Sequence, residues 1–112
     1  MKLLDWFRTG EIDEFARTIS AELISRLPPA SLDSPTKRAA GELRKSHHAI
    51  YAQAERFALS HHLNVYKRAR LGNSFRWALR DAGYPPEFVE SWTYELVTFM
   101  TLKSASARKG RR

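Results

Sequence analysis

Apolar residues recur along this chain at intervals of three and four, the period of a helix buried on one side. From Glu11 to Leu27 the positions are Ile12, Phe15, Ala16, Ile19, Leu23 and Leu27. Glu11, Asp13 and Glu14 stand in the first turn and Arg26 in the last, matching the helix dipole, and Pro28-Pro29 ends the segment. Trp6 and Phe7 are expected to close over this helix. After a loop over 29–34, Ser34 is placed to cap a second helix with Pro35 in its first turn, running to at least His62. Its stripe is Ala40, Leu43, His47, Ile50, Ala54, Phe57 and His61. Such a stripe serves either as the central column of a monomer or as a dimer seam. The small Ala40 and Ala54, with the polar His47, tilt the expectation towards a homodimer.

Asn64–Leu71 either continues this helix or restarts it, and Gly72-Asn73 is the predicted boundary before a short helix to Ala82. Gly83 suits the left-handed residue after a helix end, and Pro86 opens a last helix to about Leu102. Its apolar face is Phe88, Val89, Trp92, Leu96, Phe99 and Met100. No alternating β-branched run competes with these helices. The expected fold is all-α: a single-domain bundle of four to five helices around one long helix, spanning 1–102. A basic, flexible tail over 103–112 is expected to be disordered until bound.

Composition supports a packed core. The 112 residues are 43% hydrophobic and include three Trp, four Tyr and six Phe. The chain has no Cys, so disulfides and thiolate metal sites are excluded. The N-terminal apolar stretch is broken by Asp5, which argues against a signal peptide, and no stretch approaches the roughly 20 apolar residues of a membrane span. The cytoplasm is the expected location.

Charge changes the picture most. The formal net charge is +7, and it is sorted along the second half of the chain. Residues 64–80 hold Lys67, Arg68, Arg70, Arg76 and Arg80 without an acid. Residues 81–102 hold Asp81, Glu87, Glu90 and Glu95 without a base. The tail returns to Lys103, Arg108, Lys109, Arg111 and Arg112. Blocks of one sign create local fields that favour an anionic partner. On a helix over 73–82, Phe75, Ala78, Leu79 and Ala82 form the buried face, leaving Asn73, Arg76, Trp77 and Arg80 outside. Guanidinium groups beside an exposed indole suit a phosphate chain with an unpaired base. Intramolecular pairing with Glu87, Glu90 or Glu95 competes with that use. Helix 87–102 is excluded as a groove-reading recognition helix, because its N-terminal end carries Glu87 and Glu90.

Candidate catalytic chemistry is sparse. His47-His48 and His61-His62 are adjacent pairs whose rings diverge by about 100°, and the pairs stand about 21 Å apart along one helix. That spacing does not converge on one ion, so no metal or cofactor is expected. Arg56 and His61 form an Arg-x4-His spacing that resembles the motif of the helical HEPN nucleases. The resemblance implies an arginine and a histidine acting on an RNA phosphate, but Phe57 stands where a polar residue is usual. No phosphate loop, nucleophile elbow or paired carboxylates accompany it. The reading is a non-catalytic nucleic-acid-binding protein using Lys67, Arg68, Arg70, Arg76, Trp77 and Arg80, with the tail cations Lys103, Arg108, Lys109, Arg111 and Arg112. The alternative is a protein–protein adaptor docking or dimerising through the long helix. A HEPN-like RNase comes third.

Overall fold

Side-chain caps start the helices at Lys37 and Val65, a glycine ends the latter, and the helix at Gly10 starts from Thr9 without a side-chain cap. The structure, a computed structural model, describes residues 9–33 and 36–110, the side chains of 107–110 excepted. It contains α1 (Gly10–Arg26), a 3₁₀ turn (Pro29–Asp33), α2 (Lys37–Ser60), α3 (Val65–Ala82) and α4 (Pro86–Gly110). No strand occurs among the described residues. Trp6, Phe7, Ser34 and Pro35 lie outside them. The cap of α2 is Thr36, whose hydroxyl accepts the Ala39 N–H at 3.1 Å.

The face expected for α1 is the one it buries: Ile12, Ala16, Ile19, Leu23 and the following Leu27. The last helix likewise buries Val89, Trp92, Leu96 and Met100, with Phe88 and Phe99 packed at the margin. In α2 the line of contact differs from the expected stripe. Ser46, Ile50, Ala54 and Ala58 are buried, spaced by four throughout, while Ala40, Leu43 and His47 are exposed. The cause is that α2 faces two neighbours, and the buried row is the seam between them. Phe57 leans towards α1, stacked on Phe15 at 4.2 Å between centroids, and His47 leans towards α4, 3.3 Å from Glu95.

Two boundaries also move. The long helix stops at Ser60, and His61 is extended. Asn64 starts α3 instead, its carboxamide oxygen accepting the Lys67 N–H at 2.8 Å. A new helix axis therefore begins at this corner. Gly72-Asn73 is not a boundary: α3 runs unbroken through it. Gly72 is buried, and a Cβ there would lie 2.5 Å from Val97 Cγ2 of α4. It is a point of close approach rather than a break.

Gly83, at φ 99°, ends α3 in the expected left-handed conformation, and Pro86 opens α4. The helical path continues to Gly110, beyond the end expected near Leu102. Between the two helices Tyr84 is buried, and its hydroxyl donates to the Leu27 carbonyl at 2.5 Å. One loop thus satisfies a carbonyl left over at the end of α1.

α3 packs between α1 and α4, and α2 also packs between α1 and α4, so α2 and α3 stand at opposite corners of the bundle. Phe75, Leu71 and Leu79 of α3 fill the centre against Ile19, Leu23, Ile50, Leu96 and Met100.

Two stability outcomes follow from this packing. Gly72→Ala gains helix propensity of about 1 kcal/mol but must displace a β-branched neighbour, an overpacking cost of about 1–3 kcal/mol. The expected result is net destabilisation that Val97→Ala relieves, measured by urea denaturation of both single variants and the double variant. Burial pushes the Tyr84 hydroxyl from 10.0 up to about 12, and burial beside Glu95 also raises that of Tyr51. A raised phenol favours the protonated fold, so this stabilisation is complete below about pH 10 and is lost as pH rises through about 12. Tyr84→Phe is expected to flatten the loss of stability over that window while costing about 1–2 kcal/mol at pH 7, from the orphaned Leu27 carbonyl.

Candidate nucleic-acid interface

The sides of α3 are set by its neighbours. Leu71, Gly72, Phe75 and Leu79 are turned inward, with Ala78 and Ala82 half-buried beside them, as the sequence implies. The opposite crest carries Tyr66, Asn73, Trp77 and Arg80. Trp77 is 52% exposed, and the Arg80 guanidinium carbon lies 5.0 Å from its ring centroid. The guanidinium lies over one face of an indole that stays half exposed, and among the described residues Arg80 has no carboxylate partner.

The crest is flanked by two compensated arginines. Arg70 reaches towards α1, its Nε and Nη2 donating to the two oxygens of Asp13 at 2.9 and 3.2 Å. This guanidinium holds the Asp13 carboxyl below the usual carboxylate value. Arg76 reaches towards α4, with Nε 3.2 Å from Glu90 Oε2, near enough for an ion pair but outside hydrogen-bond alignment. The acidic final helix therefore meets the basic helix at Glu90, and α1 meets it at Asp13.

The other basic residues of the segment point away from the crest. Arg68 donates Nη1 to the Leu63 carbonyl at 2.7 Å and folds back on the α2–α3 corner. Lys67 lines a cavity of about 610 Å³ at that corner, with Glu11, His61 and His62. Lys103 is held between α2 and α4, 3.1 Å from Glu55 and 5.5 Å from the Phe99 ring centroid. Arg108 and Lys109 belong to the last turn of α4, but their side chains, like Arg111 and Arg112 entirely, lie outside the described residues. The eleven residues nominated from the sequence are thus not gathered on one surface among those described.

Two of the four histidines, His47 and His61, serve the scaffold, while His48 and His62 are exposed. The ring of His61 stacks on Phe57 at 3.9 Å, extending the Phe15–Phe57 stack. Its Nδ1 lies 3.1 Å from the Phe57 carbonyl and its Nε2 3.0 Å from Glu11. Both nitrogens are occupied, and Arg56 stands exposed on α2. His47 packs edge-on to Trp92 and pairs with Glu95. No group of three His or acidic side chains suited to a metal ion occurs among the described residues.

Lys37, Arg38, Arg44 and Lys45 enter none of the motifs read from the sequence, and Arg56 enters only the Arg-x4-His spacing. All five are exposed on α2, and among the described residues none has a carboxylate within ion-pair distance. The recurrence of a Lys/Arg pair after seven residues carried the signal, because seven residues is close to two helical turns. No described helix is long and apolar enough to cross a membrane. Comparison of the chain with protein-family models, curated proteins and solved structures finds no match.

Because Trp77 covers none of the core, Trp77→Ala is expected to change unfolding free energy by less than about 1 kcal/mol, in contrast to the 3–5 kcal/mol of a buried aromatic such as Phe75. Parallel urea denaturation of the two alanine variants measures this.

Proposed function

We propose that this protein is a non-catalytic helical domain that binds nucleic acid, with the crest of α3 engaging single strands. The observation that carries the reading is the exposed indole of Trp77 held beside the Arg80 guanidinium. An aromatic face accepts any unpaired base, and a neighbouring cation offsets backbone charge. Arg70 and Arg76 contribute by exchanging exposed carboxylates for phosphates. The Arg76–Glu90 surface pair is worth only about 0–1 kcal/mol, so its exchange costs little. The bidentate Arg70–Asp13 pair is the costlier one to exchange. Arg108, Lys109, Arg111 and Arg112 add sequence-independent attraction from the end of the chain, while Lys103, nominated with them, is paired with Glu55.

A protein–protein adaptor is the second reading. It is favoured by the pairing of Arg70 with Asp13 and Arg76 with Glu90, which leaves the crest with an aromatic character that a protein groove would also accept. A homodimer through α2 belongs to this reading.

Fluorescence anisotropy with a labelled oligothymidine at two salt concentrations separates the two. Nucleic-acid binding requires a dissociation constant tighter than about 100 μM at low salt and a log–log salt slope of about −0.7 per neutralised phosphate. Trp77→Ala is expected to weaken oligothymidine binding by about 1–3 kcal/mol, roughly fivefold to a hundredfold, with the helical circular dichroism unchanged. Absence of binding at low salt would transfer the crest to the adaptor reading.

A further inference from the structure

We propose that the outer face of α2 is a second, separate nucleic-acid surface that binds the phosphodiester backbone of a duplex, so that the protein joins a duplex to a single strand. This rests on the nucleic-acid reading above and adds to it a site, a ligand form and a bridging activity.

Two flanks of α2 are already used. Towards α1, Gln53 donates to Glu22 at 2.5 Å and Phe57 stacks on Phe15. Towards α4, His47 meets Glu95, Tyr51 packs edge-on to Phe99 at 5.0 Å, and Glu55 pairs with Lys103. The remaining arc presents Lys37, Arg38, Arg44, Lys45 and Arg56 to solvent, with His48 among them. Lys37-Arg38 and Arg44-Lys45 lie about 10 Å apart along the axis, and Arg56 about 16 Å beyond Lys45. The result is a straight strip of about 28 Å. Of the two acids on α2, Glu55 is neutralised by Lys103. Glu42 borders, together with Arg38, the groove beside Leu27 and Ser31, without forming an ion pair among the described residues. Elsewhere the structure pairs its arginines freely: Arg17 with Glu14, Arg26 with Glu22, Arg70 with Asp13 and Arg76 with Glu90. Among the described residues none of the α2 strip's cations has such a pair, a condition that only Arg68 and Arg80 share among the arginines of α1 and α3.

Gly41 supplies an independent observation. It sits in the helix between the two cation pairs, on the same arc, and a Cβ there would meet nothing within 4 Å. Among the described residues no neighbour requires a glycine here, although glycine weakens a helix interior. A sugar–phosphate chain lying between the two cation pairs does use the missing side chain, since it allows close approach to the helix backbone.

The ligand class follows from what the strip lacks. Between Lys37 and Arg56 the arc holds Gly41, Ala49 and Ala52 with no large apolar side chain for insertion into lipid, Leu59 lying one turn beyond, and its one ring is the small imidazole of His48. Charge alone on a rigid rod suits the regular backbone of a duplex. Because α2 and α3 occupy opposite corners, ligands on the two faces do not compete for space.

The test uses the full chain with a labelled duplex of about 20 base pairs, longer than the strip, and a labelled oligothymidine. Arg38→Glu with Lys45→Glu is expected to weaken duplex binding at least about tenfold and oligothymidine binding less than about threefold. Gly41→Leu, which keeps every charge, is expected to weaken duplex binding several-fold with the circular dichroism retained. Immobilised duplex should capture labelled oligothymidine through the wild-type protein and lose it with either the α2 double variant or Trp77→Ala. Duplex affinity unchanged in the double variant overturns the α2 assignment while leaving the α3 reading intact. So does charge-dependent binding to phosphatidylserine vesicles without duplex binding, which would make the strip a membrane contact. A wild-type protein that binds neither oligonucleotide overturns both proposals.

Discussion

The close approach of α4 to the backbone of α3 at Gly72 is the constraint on which the bundle depends. With no side chain at that position, Val97 and Thr93 settle onto the α3 backbone. Phe75 and Leu79 then share one interior with Leu96 and Met100. The same approach brings Glu90 within reach of Arg76, so a packing decision also settles part of the surface electrostatics. Tyr84 fastens the other end, joining the α3–α4 turn to the end of α1 through Leu27. Between these two points α3 is held on both sides, and only its crest remains outward.

This placement explains the unequal fate of the cations. A helix packed between two neighbours has its flanking arginines within reach of their acids, which is where Arg70 and Arg76 find Asp13 and Glu90. α2 also has two neighbours, but its basic residues lie on the arc away from both. Among the described residues their charge is not offset by any carboxylate at contact distance. A net positive charge therefore gathers on α2, while the block that looks most basic in the sequence is partly neutralised by the fold. Local charge density along a chain and local field on a surface are different quantities.

The histidines show the same division. Adjacent histidines at 47–48 and 61–62 suggest chemistry on paper, yet His47 and His61 are joined to Glu95 and Glu11, each linking α2 to a neighbour. The Arg-x4-His spacing falls across a helix end, with Arg56 on the last full turn and His61 in the extended corner beyond it. Spacing arguments that assume a continuous helix lose their meaning where the helix stops.

The all-helical class, the buried faces of α1 and α4, the Gly83 turn and the exposed Trp77–Arg80 crest were legible in the sequence. Each depends on the 3.6-residue period or on a local backbone preference, which the chain carries residue by residue. Tertiary structure alone decided the rest. Gly72 reads as a breaker until α4 is seen to occupy the space of its side chain, and the α2 stripe shifts because two helices, not one, share its inner side. Which arginines are paired depends on which acids lie across an interface, and Asp13 is 57 residues from Arg70. The seven-residue recurrence of basic pairs on α2 was present in the sequence, but only the placement of α1 and α4 on its other flanks shows it to be the uncovered side.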